Sequence, residues 1–242
     1  MDAVKEIDNI VKWIQDWFSD KRPETKAVIG ISGGKDSTIV AALLVKALGP
    51  ERVLGIMMPN GVQADIGDSH RVVEILGIPS KTTNIKRSYD AEIEELQDAK
   101  VNINDNVRIN LPPRIRMTKL YAVAAGEDGF VINTCNASEE YVGYSTKFGD
   151  NTGDMSPCMN YTVTEMLQLG DALGLPYDLV HKTPADGLCG KTDEDNLGFT
   201  YAVLDRYLME GVCDDPEVLK LIERKHKLNL HKVVPIPRYM RK

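Results

Sequence analysis

The sequence predicts an α/β protein: a single domain on a doubly wound, mainly parallel sheet flanked by helices. Three observations lead there. Short apolar runs alternate with amphipathic helical stretches from the N-terminus to Asn133, the order that builds parallel strands through right-handed crossovers. The run Ala27-Val28-Ile29-Gly30-Ile31 carries no charge, as a strand covered on both faces requires. A chain of 242 residues that is 43% hydrophobic buries a sizeable core within one domain.

The elements follow in order. Val4, Ile7, Ile10, Val11, Ile14 and Phe18 recur at helical spacing, and Pro23 falls in the connection that ends this first helix. The strand at Ala27 to Ile31 runs straight into a glycine turn. Ser37 to Leu48 reads as a helix stopped by Gly49-Pro50, and Arg52 to Met58 as the second strand. A helix from about Asp65, read as its cap, to Leu76 precedes a strand near Ser80 to Ile85 and a polar helix from about Tyr89 to Ala99. Pro112-Pro113 is expected to start a helix through Ala125, and Gly129 to Asn133 to form a further strand. Tyr141 to Tyr161 and His181 to Lys191 read as irregular, functional loops. Helices are expected at about Thr164 to Leu173, Asn196 to Met209 and Pro216 to Leu228, with Thr192 and Asp195 spaced as a capping box.

Composition narrows the function. A net charge of −7 argues against a nucleic-acid-coating protein, although the stretch from His231 to Lys242 is locally basic. No apolar run approaches the roughly 20 residues that cross a bilayer. The opening Met1-Asp2-Ala3-Val4-Lys5-Glu6 lacks signal-peptide character, so a soluble, cytoplasmic protein without membrane association is expected. The four cysteines, Cys135, Cys158, Cys189 and Cys213, form no CxxC pair and read as reduced thiols.

Chemistry enters at Ser32-Gly33-Gly34-Lys35-Asp36-Ser37, between the first strand and its helix. Gly33 and Gly34 let the backbone curl close to a phosphate at a helix N-terminus, and the hydroxyls of Ser32 and Ser37 add donors. Asp36 would repel a bare phosphate, which suits it to a bridging magnesium ion. A lone Gly-Gly pair would read as an ordinary helix-capping turn. The spacing does not fit GxxxxGK[ST].

The hexapeptide matches the SGGxDS signature and so resembles the N-type ATP pyrophosphatases, with their adenine nucleotide α-hydrolase-like fold. Within them the chain resembles ammonia-dependent NAD synthetase. The likeness rests on Gly61-Val62-Gln63-Ala64-Asp65, Arg114-Ile115-Arg116-Met117, Asn133 to Glu139 and Gly143-Tyr144-Ser145-Thr146-Lys147-Phe148-Gly149-Asp150. Asp154 with Pro157, Lys182 with Pro184, Asp193-Glu194 with Leu197-Gly198, and His231-Lys232 extend it over nearly the whole chain.

The resemblance implies attack of the nicotinate carboxylate of deamido-NAD on the α-phosphate of ATP, then displacement of AMP by ammonia. It implies ATP contacts along Gly30, Ser32, Gly33, Gly34, Lys35, Asp36 and Ser37 and at Thr134, and Asp36 and Glu139 as Mg2+ ligands. Asp36, Glu139 and Lys182 become the catalytic candidates, with Lys182 grouped with the phosphate contacts. Arg114, Lys147, Asp154, His231 and Lys232 become deamido-NAD contacts, and Gln63 a further nucleotide contact. A homodimer is expected, since the family builds its dinucleotide site across a two-fold interface. Ammonia is expected free or from a partner, there being no room for a glutaminase domain. Taken alone, each of these charged residues reads as solvated surface. A tRNA thiolase, the other adenylating reading, would call for a basic RNA-binding face and catalytic cysteines.

Two positions depart from the family pattern. Val163 stands where a lysine usually reaches the phosphates, and Ala185 where a hydroxyl residue usually stands. Compensation by Lys35, Lys182 or Thr183, weaker use of ATP, or a purely nucleotide-binding protein follow as alternatives. On this reading Val163→Lys lowers the Michaelis constant for ATP.

Overall fold

The computed structural model describes residues 1–63, 66–182 and 192–240. The readings of Asp65 as a cap, and those at Thr183, Pro184, Ala185 and Cys189, lie outside the described residues. Helix α1 (Ala3–Lys21), capped by the Asp2 carboxylate, opens the chain. Then come β1 (Lys26–Gly30), α2 (Lys35–Leu48), β2 (Val53–Met57), α3 (Ile66–Leu76), β3 (Ser80–Thr82), α4 (Lys86–Asp98), α5 (Asp105–Gly126) and β4 (Gly129–Ile132). The last part is helical: α6 (Ala137–Val142), α7 (Val163–Ala172), α8 (Tyr177–Val180), α9 (Asp193–Leu197), α10 (Tyr201–Glu210) and α11 (Pro216–Val233).

The four strands are parallel in the order β3-β2-β1-β4. Alternation along each strand sends side chains to two cores. Ala27, Ile29, Val53, Met57 and Ile132 meet Ile7, Ile10, Ile14 and Phe18 of α1, the apolar side of α2, and Met166 and Leu169 of α7. Val28, Leu54, Ile56 and Val131 face the opposite way, onto Leu120, Val123 and Ala124 of α5. Helices on both faces make the sheet doubly wound, as predicted. Each large side chain withdrawn from water contributes about 1.5–3 kcal/mol, and Ile7, Ile10, Ile14 and Phe18 form the buried stripe that fixes α1. A third cluster joins Val142, Val163, Leu197, Phe199, Tyr201, Leu204 and Ile222.

Three expectations need correction. The helix expected to start at Pro112-Pro113 begins at Asp105, because the Asn104 side chain caps it by accepting from Val107 N at 3.2 Å. The prolines lie inside α5 and leave two ladder bonds unmade. The helix expected over Asn196 to Met209 is two: Gly198, at φ 84°, closes α9, and Thr200 caps α10. The third strand is shorter than Ser80 to Ile85, although Thr83 N and Ile85 N still bond to Met57 O and Pro59 O. Elsewhere α11 runs on past Leu228 to Val233, and the capping box at Thr192 and Asp195 is present. No helix among the described residues is long and apolar enough to cross a membrane.

The topology positions the site. From β1 the chain moves to β2 on one side, whereas β4 pairs on the other, so the strand order switches between β1 and β4. Beyond the carboxyl ends of such a pair the loops part and leave a crevice for a ligand. The turn Ser32 to Ser37 and the segment Asn133 to Glu139 both leave the sheet there.

Candidate active site

The turn after β1 has a geometry that suits an anion. Gly33 has φ +79°, and a Cβ there would lie 2.9 Å from both Asp68 Cβ and Ser69 N, so only glycine fits. Gly34 is the N-cap of α2 and offers no side-chain acceptor, which leaves the first N–H groups of the helix for a ligand. The Ser32 and Ser37 hydroxyls lie 3.0 Å apart. Ser32 Oγ accepts from Gly34 N and Ser37 Oγ donates to Gly34 O, both at 3.1 Å, so here they brace the turn. Gly30 serves packing, with Met58 and Leu120 closing over the place of its missing side chain.

Asp36, in the first turn of α2, meets the start of α6. Asn136 Nδ2 donates to Asp36 Oδ1 at 3.2 Å. The Asn136 Oδ1 accepts from Glu139 N at 3.0 Å, and Glu139 Oε2 accepts from Asn136 N at 3.4 Å, a complete capping box. One buried amide thus holds Asp36 beside Glu139. Burial, then the Asp36 charge, push the Glu139 carboxyl up to about 8, against the pull of Lys35. Lys35 is 5% exposed and its ammonium lies 2.8 Å from Asp36 Oδ2 and 5.7 Å from the centre of the Tyr201 ring. Burial works to lower the Lys35 pKa, but Asp36, Glu139 and Asp193 together raise it. Two neighbouring acids that share a single lysine suit a hard divalent cation, whose charge would favour the ionised form of both. No group of three acidic, His or Cys ligands gathers among the described residues, so a cation held by Asp36 and Glu139 would need its other ligands from a bound molecule or water.

Lys182 reaches the same turn from the other side. Its ammonium donates to Asp68 Oδ2 at 2.6 Å, and Asp68 is the residue packed against Gly33. Val163 does not face the crevice as free surface. It is 7% exposed within the apolar cluster that includes Tyr201, and its N–H donates to Ser138 Oγ at 3.0 Å. The buried cation beside the carboxylates is Lys35.

A second locus is basic. Arg114 of α5, Lys147 of the loop after α6, and His231 and Lys232 in the last turn of α11 line one open cavity of about 390 Å³ with Asn106, Val107 and Asn110. Arg114 Nε donates to Lys147 O at 3.4 Å, and Lys147 Nζ donates to His231 O. Lys232 Nζ donates to Gly143 O at 2.9 Å and Ser145 O at 3.1 Å. The loop itself is fixed by Asn133, whose amide donates to Thr152 O at 3.1 Å, and by Asp150, which accepts from Thr146 N at 2.6 Å.

Most of the residues singled out by sequence therefore fall into two groups, one on the turn and one around the basic cavity. Thr134 is half-buried just past the carboxyl end of β4. Asp154 stands apart from the cavity lining: its carboxylate accepts from Val131 N at 2.7 Å, along β4. Sequence reasoning missed Asn136, Asp68 and Tyr201. The first was findable, since Asn136 and Glu139 have the spacing of a capping box; nothing local marks the other two.

The NAD synthase family matches residues 6–242. The NH(3)-dependent NAD(+) synthetase of Pyrococcus horikoshii is 40% identical over 236 residues, covering 93% of this chain and 90% of that protein. Among solved structures, the NMN synthetase of Francisella tularensis superposes with a TM-score of 0.90 at 32% identity, covering 99% of each chain. The NH3-dependent NAD synthetase of Campylobacter jejuni superposes with a TM-score of 0.81 at 27% identity, covering 100% of each.

Proposed function

The chain belongs to the NAD synthase family, and from that premise we propose that it amidates deamido-NAD to NAD with ammonia, consuming ATP and releasing AMP and pyrophosphate. The observation that carries this reading is the Asp36-Asn136-Glu139 bracket beside the phosphate turn, at the strand-order switch.

The nicotinate carboxylate attacks the α-phosphorus, and the bond to the bridging oxygen breaks to release pyrophosphate. Ammonia then adds to the acyl carbon of the adenylate, loses a proton and expels AMP. No side chain is acylated or phosphorylated, so catalysis rests on positioning and charge neutralisation. The N–H groups opening α2 and the Lys182 ammonium hold the departing pyrophosphate. Asp36 and Glu139 are the residues that would hold Mg2+, which offsets the charge of the triphosphate. Thr134 is assigned to ATP and Asp154 to deamido-NAD. Arg114, Lys147, His231 and Lys232 take the anionic dinucleotide in the basic cavity.

We further infer one catalytic domain over the chain, a cytoplasmic location, a homodimer, and no nucleic-acid or membrane partner. A second reading, amidation of nicotinate mononucleotide to NMN, is favoured by the TM-score of 0.90 with the Francisella tularensis NMN synthetase.

Purified protein with ATP, Mg2+ and ammonium is given deamido-NAD or nicotinate mononucleotide in parallel, and amide product and AMP are followed together. Equal amounts of NAD and AMP from deamido-NAD are expected. Product from the mononucleotide alone selects the second reading. Binding of both nucleotides without product rejects catalysis. Light scattering on the same sample tests the dimer.

A further inference from the structure

The ammonium of Lys35 lies where a cation bound to Asp36 would compete with it. It touches Asp36 Oδ2 at 2.8 Å, whereas Asn136 takes Oδ1. Lys35 and Asp36 are 5% and 18% exposed, so water screens the pair weakly. The centre of the Tyr201 ring lies 5.7 Å from the ammonium, and its hydroxyl is buried with no hydrogen-bond partner among the described residues. A lysine this enclosed must keep an anion beside it, since an unpaired buried charge is costly. The open N-terminus of α2, where Lys35 is the first residue, is where phosphate oxygens would arrive.

We propose that Lys35 is an internal counter-ion that competes with the divalent cation for Asp36 and yields the carboxylate only when a nucleotide phosphate is present to take its ammonium. The proposal rests on the reading of this turn as the ATP site. It makes loading cooperative: metal alone binds weakly, and metal with nucleotide binds well, because one phosphate group removes the competitor and supplies ligands. Tyr201 keeps the ammonium within reach of both partners by cation–π attraction.

The test is a titration of Mn2+, followed by electron paramagnetic resonance, with and without α,β-methylene-ATP. The wild type, Lys35→Gln and Lys35→Arg are compared, and thermal melts establish that each is folded. The wild type is expected to bind Mn2+ alone about tenfold more weakly than Lys35→Gln. The nucleotide analogue should tighten Mn2+ in the wild type by at least that factor, and much less in Lys35→Gln. Lys35→Arg, which keeps the charge, should behave as the wild type. Equal or weaker Mn2+ binding by Lys35→Gln without nucleotide overturns the proposal. Should that variant not fold, a wild type whose Mn2+ affinity is unmoved by the analogue overturns it equally. NAD formation by the wild type is measured separately, so a wild type that shows the coupling but forms no product removes the proposed reaction and leaves the counter-ion standing.

Discussion

Asn136 donates its side-chain amide to Asp36 at 3.2 Å across one hundred residues of sequence, and with its other atom caps the helix that carries Glu139. The contact makes the spacing of the two acids a property of one buried side chain. Asn136→Ala removes the helix cap, a loss of about 1 kcal/mol, and frees Asp36 to follow Lys35. Thermal stability should fall accordingly, and kcat by about tenfold or more, because a loosened catalytic group costs more than the cap itself. A lower melting temperature with unchanged kcat would confine Asn136 to capping.

Gly33→Ala should damage the site more than the fold. The new methyl meets Asp68 Cβ and Ser69 N at 2.9 Å with φ at +79°, strain of about 1–3 kcal/mol, and Asp68 is also the partner of Lys182. Gly211→Ala supplies the control, since φ is +73° there but nothing among the described residues lies within 4 Å of the added Cβ. Both variants should lose stability, while only Gly33→Ala should weaken ATP binding, by about tenfold in a fluorescence titration. Equal ATP affinities in the two would show that Gly33 is needed only for its backbone angle.

The strands and the first helices were legible because period and glycine placement are local: the charge-free run at Ala27 to Ile31 and the turn after it declare themselves. Pro112-Pro113 misled because a proline pair is a good start signal, and the stronger cap at Asn104 overrode it. Gly198 was visible, but whether a glycine ends a helix or sits inside one depends on the next cap, here Thr200. In the site, the charged candidates had a sequence pattern to stand on. The groups that hold them, Asn136 on Asp36, Asp68 on Lys182 and Tyr201 under Lys35, are long-range contacts set by the fold, which a local reading does not reach.

Arg114→Ala should separate the two substrates. The guanidinium lines the basic cavity and is absent from the contacts of the phosphate turn. Losing a charge-assisted contact costs about 1.5–3 kcal/mol, or roughly tenfold to a hundredfold in affinity. The Michaelis constant for deamido-NAD should rise by that factor with that for ATP little changed. A parallel rise in both would place Arg114 in the ATP site or in the fold.

Val163→Lys was expected from sequence to improve the grip on ATP. Val163 is 7% exposed among Leu204, Ile222 and Tyr201, and the longer, charged side chain would be forced against them. Overpacking of this kind costs about 1–3 kcal/mol. The variant should melt at a lower temperature and show no gain for ATP. An unchanged melting temperature with a lower Michaelis constant for ATP would restore the sequence-based account.

Acid stability should depend on a residue remote from the reaction. Glu127, next after α5, pairs with Lys26 of β1 at 2.8 Å and with Lys81 of β3 at 3.0 Å. The hydrogen bond from Lys26, followed by that from Lys81, lowers its pKa. A carboxylate with a lowered folded-state pKa contributes stability that is present above its unfolded value and lost as the pH falls through the folded one. Melting temperatures of the wild type and Glu127→Gln should therefore differ near neutrality and converge as the solution is taken below about pH 4, where the unfolded carboxyl already binds its proton. Salt should shrink the neutral difference, since the pair is partly exposed. The rate of NAD formation at neutral pH should be the same in both proteins. A difference in melting temperature that persists undiminished into acid would mean that Glu127 acts through packing and that its charge contributes nothing.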